Sequence, residues 1–180
     1  MKYIFLLVCV FALSCNPNPY RDTNDDVPSG DPPFTPLTNS WVIDNEKLLS
    51  PDTILQGNAI CQNLQDDGVA EVVVLIQTHI KHPEDYATHY GRWLGLGKRG
   101  ASSSGGNNGI VWLIRPDAKE KLTVSVGRGL PQFTSIDFGR IIDESIDYIN
   151  FGNYNSGVLN ILSQTNQRLR EIKKSNKEDK

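Results

Sequence analysis

The sequence predicts a single α/β domain, a three-layer α/β/α sandwich with a small mixed sheet of parallel strands plus one antiparallel hairpin strand. Three observations carry that expectation. "EVVVLIQT" (Glu71–Thr78) and "GIVWLIR" (Gly109–Arg115) are continuous β-branched runs, the composition of strands covered on both faces. A helical pattern lies between them, so the two strands are expected to pair in parallel through a right-handed crossover. After the turn "PDAKEK", "LTVSVG" alternates Leu122, Val124 and Val126 with Thr123 and Ser125, which reads as a hairpin partner with one face less buried.

The chain begins outside that domain. "MKYIFLLVCVFALSC" has one lysine and then an apolar run from Tyr3 to Leu13, too short to span a bilayer and laid out as a secretory signal. Its "ALSC" ending resembles a bacterial lipoprotein signal, so residues 1–15 are expected to be a signal peptide with Cys15 as the lipidation site. Residues 16–40 hold six prolines among Asn, Asp, Ser and Gly, with few aliphatics to bury. They are expected to be a disordered tether, which at roughly 3 Å per residue reaches several nanometres from a membrane.

The folded part is expected over 41–172. Ser50 caps a helix, with Pro51 at its first position and Asp52 in its first turn; Ile54, Cys61 and Leu64 form its stripe. Pro83, Glu84 and Asp85 start a second helix, striped by Tyr86, Tyr90, Trp93 and Leu94. Two more follow the hairpin strand, lined by Ile142, Ile146 and Ile149 and then by Val158, Leu162, Thr165 and Leu169. "NFGNYNSG" (Asn150–Gly157) is the tight turn between them, with residues suited to left-handed conformations. After Ile172 the apolar period stops, and residues 173–180 are expected to be a charged, disordered tail.

Composition excludes several functions. A formal net charge of −3 gives no electrostatic reason for a nucleic-acid partner. With Cys9 removed and Cys15 acylated, Cys61 is left alone, so no internal disulfide is available and a small buried hydrophobe is the expected role. Gly95, Gly97 and Gly100 spell G-x-G-x-x-G, but a dinucleotide fingerprint needs a strand before and a helix after. Here the order is reversed, so no nucleotide is expected, and Gly95 and Gly97 end a helix.

Several segments recur in the order and spacing of one family: "VIDN" and "LLS" (Val42–Asn45, Leu48–Ser50), "WLGLGK", "NNGIVWLI", "VSVGRGL", "SIDFGRIID" and "FGNYNSGV". From Trp41 to Ile161 the chain resembles the TPM domain, the family of the thylakoid-lumen photosystem II repair phosphatase and many bacterial envelope proteins. The resemblance implies a compact α/β/α sandwich, divalent metal binding, usually of calcium, and an acid phosphatase activity found in some members and absent from others. The chain departs from the pattern in a longer Gly/Ser insert before Asn107 and in Pro131, where an acidic residue is frequent.

The candidate site follows from topology. The amino ends of both parallel strands share an edge, where the hairpin strand's carboxyl end (Val126–Gly129), the loop 97–108 and the helix start at Ser135–Asp137 also arrive. Asp66 and Asp67 lie on that side, and the resemblance implies that Asp44 joins them. Asp44, Asp137, Asn107 and Asn108 are thus the candidate metal ligands, an oxygen set suited to calcium (or magnesium) and not to zinc. Ala101–Ser104 would be a flap over the site, and Arg128 the contact for an anion or substrate. In the plainer reading, Asp137 caps its helix and Asp44 closes a turn. His79, His82 and His89 fall at the opposite edge and read as polar surface.

The expected function is a lipid-anchored, exported protein of the bacterial cell envelope, periplasmic or surface-facing. It would bind calcium and act as an accessory module, docking an envelope protein through its acidic edge as a monomer. The alternative is a metal-dependent acid phosphatase. No histidine, cysteine or serine stands in a nucleophile arrangement, so hydrolysis would rest on a metal-activated water with Arg128 as the second positive group.

Overall fold

The computed structural model describes residues 40–97 and 106–178. The signal with Cys15, the tether up to residue 39, the Ala101–Ser104 flap and the last two residues of the tail lie outside the described residues. In chain order the elements are β1 (Val42–Asp44), α1 (Pro51–Asp66), β2 (Glu71–Ile76), α2 (Pro83–Leu94), β3 (Gly109–Ile114), β4 (Leu122–Val126), α3 (Ser135–Asn150) and α4 (Tyr154–Glu178). The strands form one sheet in the order β1-β2-β3-β4, parallel except for the antiparallel β3–β4 hairpin.

Local chemistry sets the helix limits. The Ser50 hydroxyl accepts from the Thr53 N–H at 3.2 Å, and Pro51 occupies the first turn of α1, where its missing N–H costs nothing. Gly95 takes a left-handed conformation at φ 69° and stops α2, as the glycine spacing indicates. Gly152, at φ 77°, turns the chain between α3 and α4. Strand β1 was not legible as a strand, because three residues are too few to display a period of two.

Register fixes the layers. Val42, Val74, Trp112 and Val124 are cross-strand partners and share one face. A Cβ on Gly57 of α1 would lie 2.7 Å from Val42 and 3.1 Å from Leu162 of α4, so α1 and α4 cover that face. Val111 and Ser125 point the other way. A Cβ on Gly91 would meet Val111 at 3.1 Å, and the Thr88 and Ser125 hydroxyls are 3.0 Å apart, so α2 covers the second face. Packing of α3 against α4 completes the expected three layers.

The two crossovers have opposite hands, because the strands step in one direction while α1 and α2 lie on opposite faces. Val74 faces α1 and donates its N–H to Trp41 at the head of β1. For L-residues this puts β1 to the right of β2 as seen from α1. The β2–α2–β3 crossover is therefore right-handed, as expected, and β1–α1–β2 is left-handed, against the usual rule.

One boundary is corrected. Helix α4 does not stop at Ile172 but continues to Glu178. Its last turns lack an apolar stripe and are held by side-chain contacts instead: Lys173 binds the Asp67 and Gly68 carbonyls, and Lys174 lies 4.0 Å from Glu178 one turn on.

Candidate functional site

At the amino edge of the sheet, glycines let the chain fold tightly onto itself. Asn107 adopts φ 63° and donates its N–H to the Gly97 carbonyl at 2.9 Å, while its own carbonyl accepts from the Gly129 N–H at 2.9 Å. Asn108 is buried; its amide donates to the Val69 carbonyl at 3.3 Å, and its backbone carbonyl accepts from the Glu71 N–H at 3.2 Å. Glu71, 1% exposed, accepts from the Gly97 N–H at 2.8 Å. Glu71 is not among the residues expected at the site; its signal in the sequence is a carboxylate heading an otherwise apolar run. Arg128 sits exposed on the turn beside Asn107, where it was expected.

Asp137 also lies at this edge, but both its oxygens are engaged. Oδ1 accepts from Arg168 Nε at 2.7 Å, and Oδ2 from the Thr134 backbone N–H at 2.8 Å and hydroxyl at 3.1 Å. Burial pushes its pKa up, yet the Thr134 N–H and the Arg168 guanidinium outweigh it, so the carboxyl titrates below its ordinary range. The capping reading of Asp137 therefore holds. Asp67 is likewise paired, 2.7 Å from Arg170. Asp137 and Asp67, at the edge expected to be acidic, are thus each matched by an α4 cation, which sequence distance hid.

Asp44 is not there. It pairs in register with Ile76 at the carboxyl end of β2, whereas Glu71 and Gly109 mark the amino end. Five residues at about 3.3 Å separate the two edges by roughly 16 Å. Asp44, Asp137, Asn107 and Asn108 therefore do not converge on one ion. The reason is that β1 runs parallel to β2, which sends its last residue to the far edge. Among the described residues no three His, Cys, Asp or Glu side chains group as metal ligands.

The carboxyl edge has its own polar construction. Asp44 Oδ2 accepts from the Leu49 N–H at 2.7 Å, closing a turn, while Oδ1 is buried without a hydrogen-bond partner among the described residues. Asn45 donates to Gln77 at 3.1 Å, and Glu46 receives the Thr78 N–H and hydroxyl at 2.8 and 2.7 Å. Asn155, from the turn between α3 and α4, accepts from the Ser50 N–H at 2.8 Å. The chain leaves β1 towards one face and β2 towards the other, so the loops that follow the two strands diverge at this edge. His79, at this edge, lies 3.4 Å from Asp117 and is exposed.

Comparison with known proteins agrees with this architecture. A family model of the TPM domain matches residues 42–168, and the chain belongs to that family. It is similar to the N-terminal domain of a protein from P. gingivalis, solved by NMR, at 23% identity and a TM-score of 0.59, over 73% of this chain and 85% of that one. It is also similar to the N-terminal domain of a protein from Corynebacterium glutamicum, at 12% identity and a TM-score of 0.55, over 80% and 87% of the two chains. These likenesses establish the fold. No curated protein matches the chain.

Proposed function

We propose that this TPM-domain chain is a lipid-anchored binding module of the bacterial cell envelope that takes a divalent cation, calcium (or magnesium), at the carboxyl edge of its sheet, with Asp44 as the charged ligand. The observation that carries the reading is the buried Asp44 Oδ1 at the carboxyl end of β1, which lacks a hydrogen-bond donor among the described residues. A buried carboxylate oxygen is costly unless it meets a cation or a donor. Calcium accepts about six to eight oxygens in flexible geometry, and the Asn45, Glu46, Gln77 and Thr78 oxygens lie on the adjoining turns. The amino edge fits a cation less well, because Arg168 already neutralises Asp137.

The anchor and the envelope location rest on Cys15 after its apolar run and on the proline-rich tether. An accessory role is favoured over phosphatase chemistry because Arg128 and Asp44 belong to opposite edges of the sheet. Arg115 does stand at the carboxyl edge, but its guanidinium is engaged by the Ile80 and Glu120 carbonyls.

Calorimetric titration with calcium tests the site. Asp44→Asn, which can still accept the Leu49 N–H, is expected to weaken binding about tenfold or more, while Asp137→Asn leaves affinity within about twofold. Undiminished binding by Asp44→Asn, or its loss in Asp137→Asn, overturns the assignment. Turnover of a chromogenic phosphomonoester with calcium present is expected to stay at background; clear turnover would favour the phosphatase. Replacing Cys15 by alanine should release the chain from membranes, and retention would refute the anchor.

A further inference from the structure

The last turns of α4 carry more positive charge than their contacts use. Arg170, Lys173, Lys174 and Lys177 are spaced i, i+3, i+4 and i+7, so they lie on one face of the helix. Glu171, Ser175 and Glu178 fall on the neighbouring face. The four cations converge with Asp67 and Val69 on an open hollow of about 410 Å³. One carboxylate cannot balance them. Asp67 is taken by Arg170 at 2.7 Å, and Lys173 is engaged by the Asp67 and Gly68 carbonyls. Lys174 meets Glu178 only at 4.0 Å, with both side chains exposed, and Lys177 has no ion pair among the described residues. Attraction to the helix C-terminus accounts for a cation in the last turn, but not for four over two turns gathered on one hollow.

We infer that this basic end of α4 receives the phosphate groups of anionic lipid headgroups and lays the amino edge of the sheet on a membrane. Two observations select a bilayer as the source of the phosphate. Val42 pairs level with Val74 in parallel register, so the chain enters β1 from the amino edge, where Asp67 and the hollow also lie. The segment that leads back to Cys15 therefore joins the domain on the same side as the four cations. In addition, α4 runs on past Lys173 to Glu178, so the exposed Lys174 and Lys177 stand beyond the Asp67–Gly68 turn, where a flat surface can reach them. Four Lys or Arg side chains are enough to hold a helix to anionic lipids. The choice of a membrane rests on the lipid anchor proposed above; the excess of positive charge does not. A tether alone leaves the domain free to turn. The headgroup contact would fix the amino edge against the lipid and leave the carboxyl edge, with Asp44, facing away.

Vesicle sedimentation with the chain from Asn16 onward tests this. That chain keeps the whole core from Trp41 to Ile172 and lacks Cys15, so neither the apolar leader nor an acyl group contributes. Binding is expected to vesicles containing phosphatidylglycerol, not to pure phosphatidylcholine, and should vanish by about 0.5 M salt. Lys174→Gln/Lys177→Gln, at exposed positions, should weaken it roughly thirtyfold, with urea unfolding nearly unchanged. Lys81→Gln/Lys119→Gln, an equal loss of charge at the opposite edge, should stay within about threefold. Calorimetric titration with inorganic phosphate separates the two sources, and no saturation is expected at millimolar phosphate. No binding to either vesicle, equal binding to both, saturable phosphate binding without vesicle binding, or an equal loss in the Lys81/Lys119 variant would each overturn the inference. At about 0.5 M salt this contact is gone, so retention of the Cys15→Ala chain on membranes there bears on the anchor alone.

Discussion

Replacing Gly127 by alanine should be among the most damaging small changes in the molecule, and the reason is space rather than conformation. Gly127 does not need a positive φ. A Cβ there, however, would lie 2.0 Å from the Asn107 carbonyl oxygen, 2.7 Å from its Oδ1 and 2.8 Å from its carbonyl carbon. Backbone atoms cannot rotate away as a side-chain tip can. Asn107 would have to retreat by about 1 Å or more to reach ordinary contact, which breaks the 2.9 Å bond its carbonyl receives from the Gly129 N–H. Overpacking of about 1–3 kcal/mol and a lost hydrogen bond of about 1 kcal/mol combine to roughly 2–4 kcal/mol. Gly139→Ala is the matched control. Nothing lies within 4 Å of its Cβ, the residue sits inside α3, and alanine there should stabilise by about 0.5–1 kcal/mol. Urea unfolding of the two variants and the parent measures both. A Gly127→Ala cost below about 1 kcal/mol would refute the claim that this loop is seated on the glycine backbone.

Three further outcomes are expected. Asp137→Asn should cost about 1–2 kcal/mol at neutral pH, since it loses the charge-assisted bond to a partly exposed Arg168. Because the folded pKa of Asp137 is lowered, its stabilisation is present above the unfolded value of about 3.9 and disappears as pH falls through the folded one. The gap between parent and variant should therefore close below about pH 4 in pH-dependent urea melts. Asn58→Ala should cost about 1–3 kcal/mol by leaving the Trp41 and Val42 N–H groups without their acceptor, read in the same melts. Cys61 is fully buried, with its thiol pushed up to about 12 by desolvation, so peptide mapping should find it unlabelled by a disulfide reagent until the chain unfolds.

The fold was legible in the sequence wherever a periodic signal exceeded its noise. Glu71–Ile76 and Gly109–Ile114 are fully buried strands, as their β-branched runs require. The Ser50-Pro51 start, the Gly95 stop and the antiparallel turn of Leu122–Val126 were written in single residues. The candidate site was only half legible. Asn107, Asn108, Arg128 and Asp137 do gather at the amino edge, because strand direction alone puts them there. Asp44 could not be positioned the same way. Its strand is three residues long, and whether that strand runs parallel to β2 decides between edges that are roughly 16 Å apart. The cations that meet Asp137 and Asp67 come from α4, residues 31 and 103 positions onward. No local pattern announces such a partner. The left-handed crossover through α1 was hidden for a related reason, since sequence fixes which strands are connected but not which face the connection takes.

The proposed cation site is tested most directly by amide NMR spectra of the protein recorded as calcium is added. The Asn45–Ser50 and Gln77–His82 amides are expected to shift in a saturable way, while Thr134–Asp137 and Asn107–Asn108 stay in place. Spectra unchanged up to millimolar calcium, or shifts centred on Asp137 and the Asn107 loop, would contradict it.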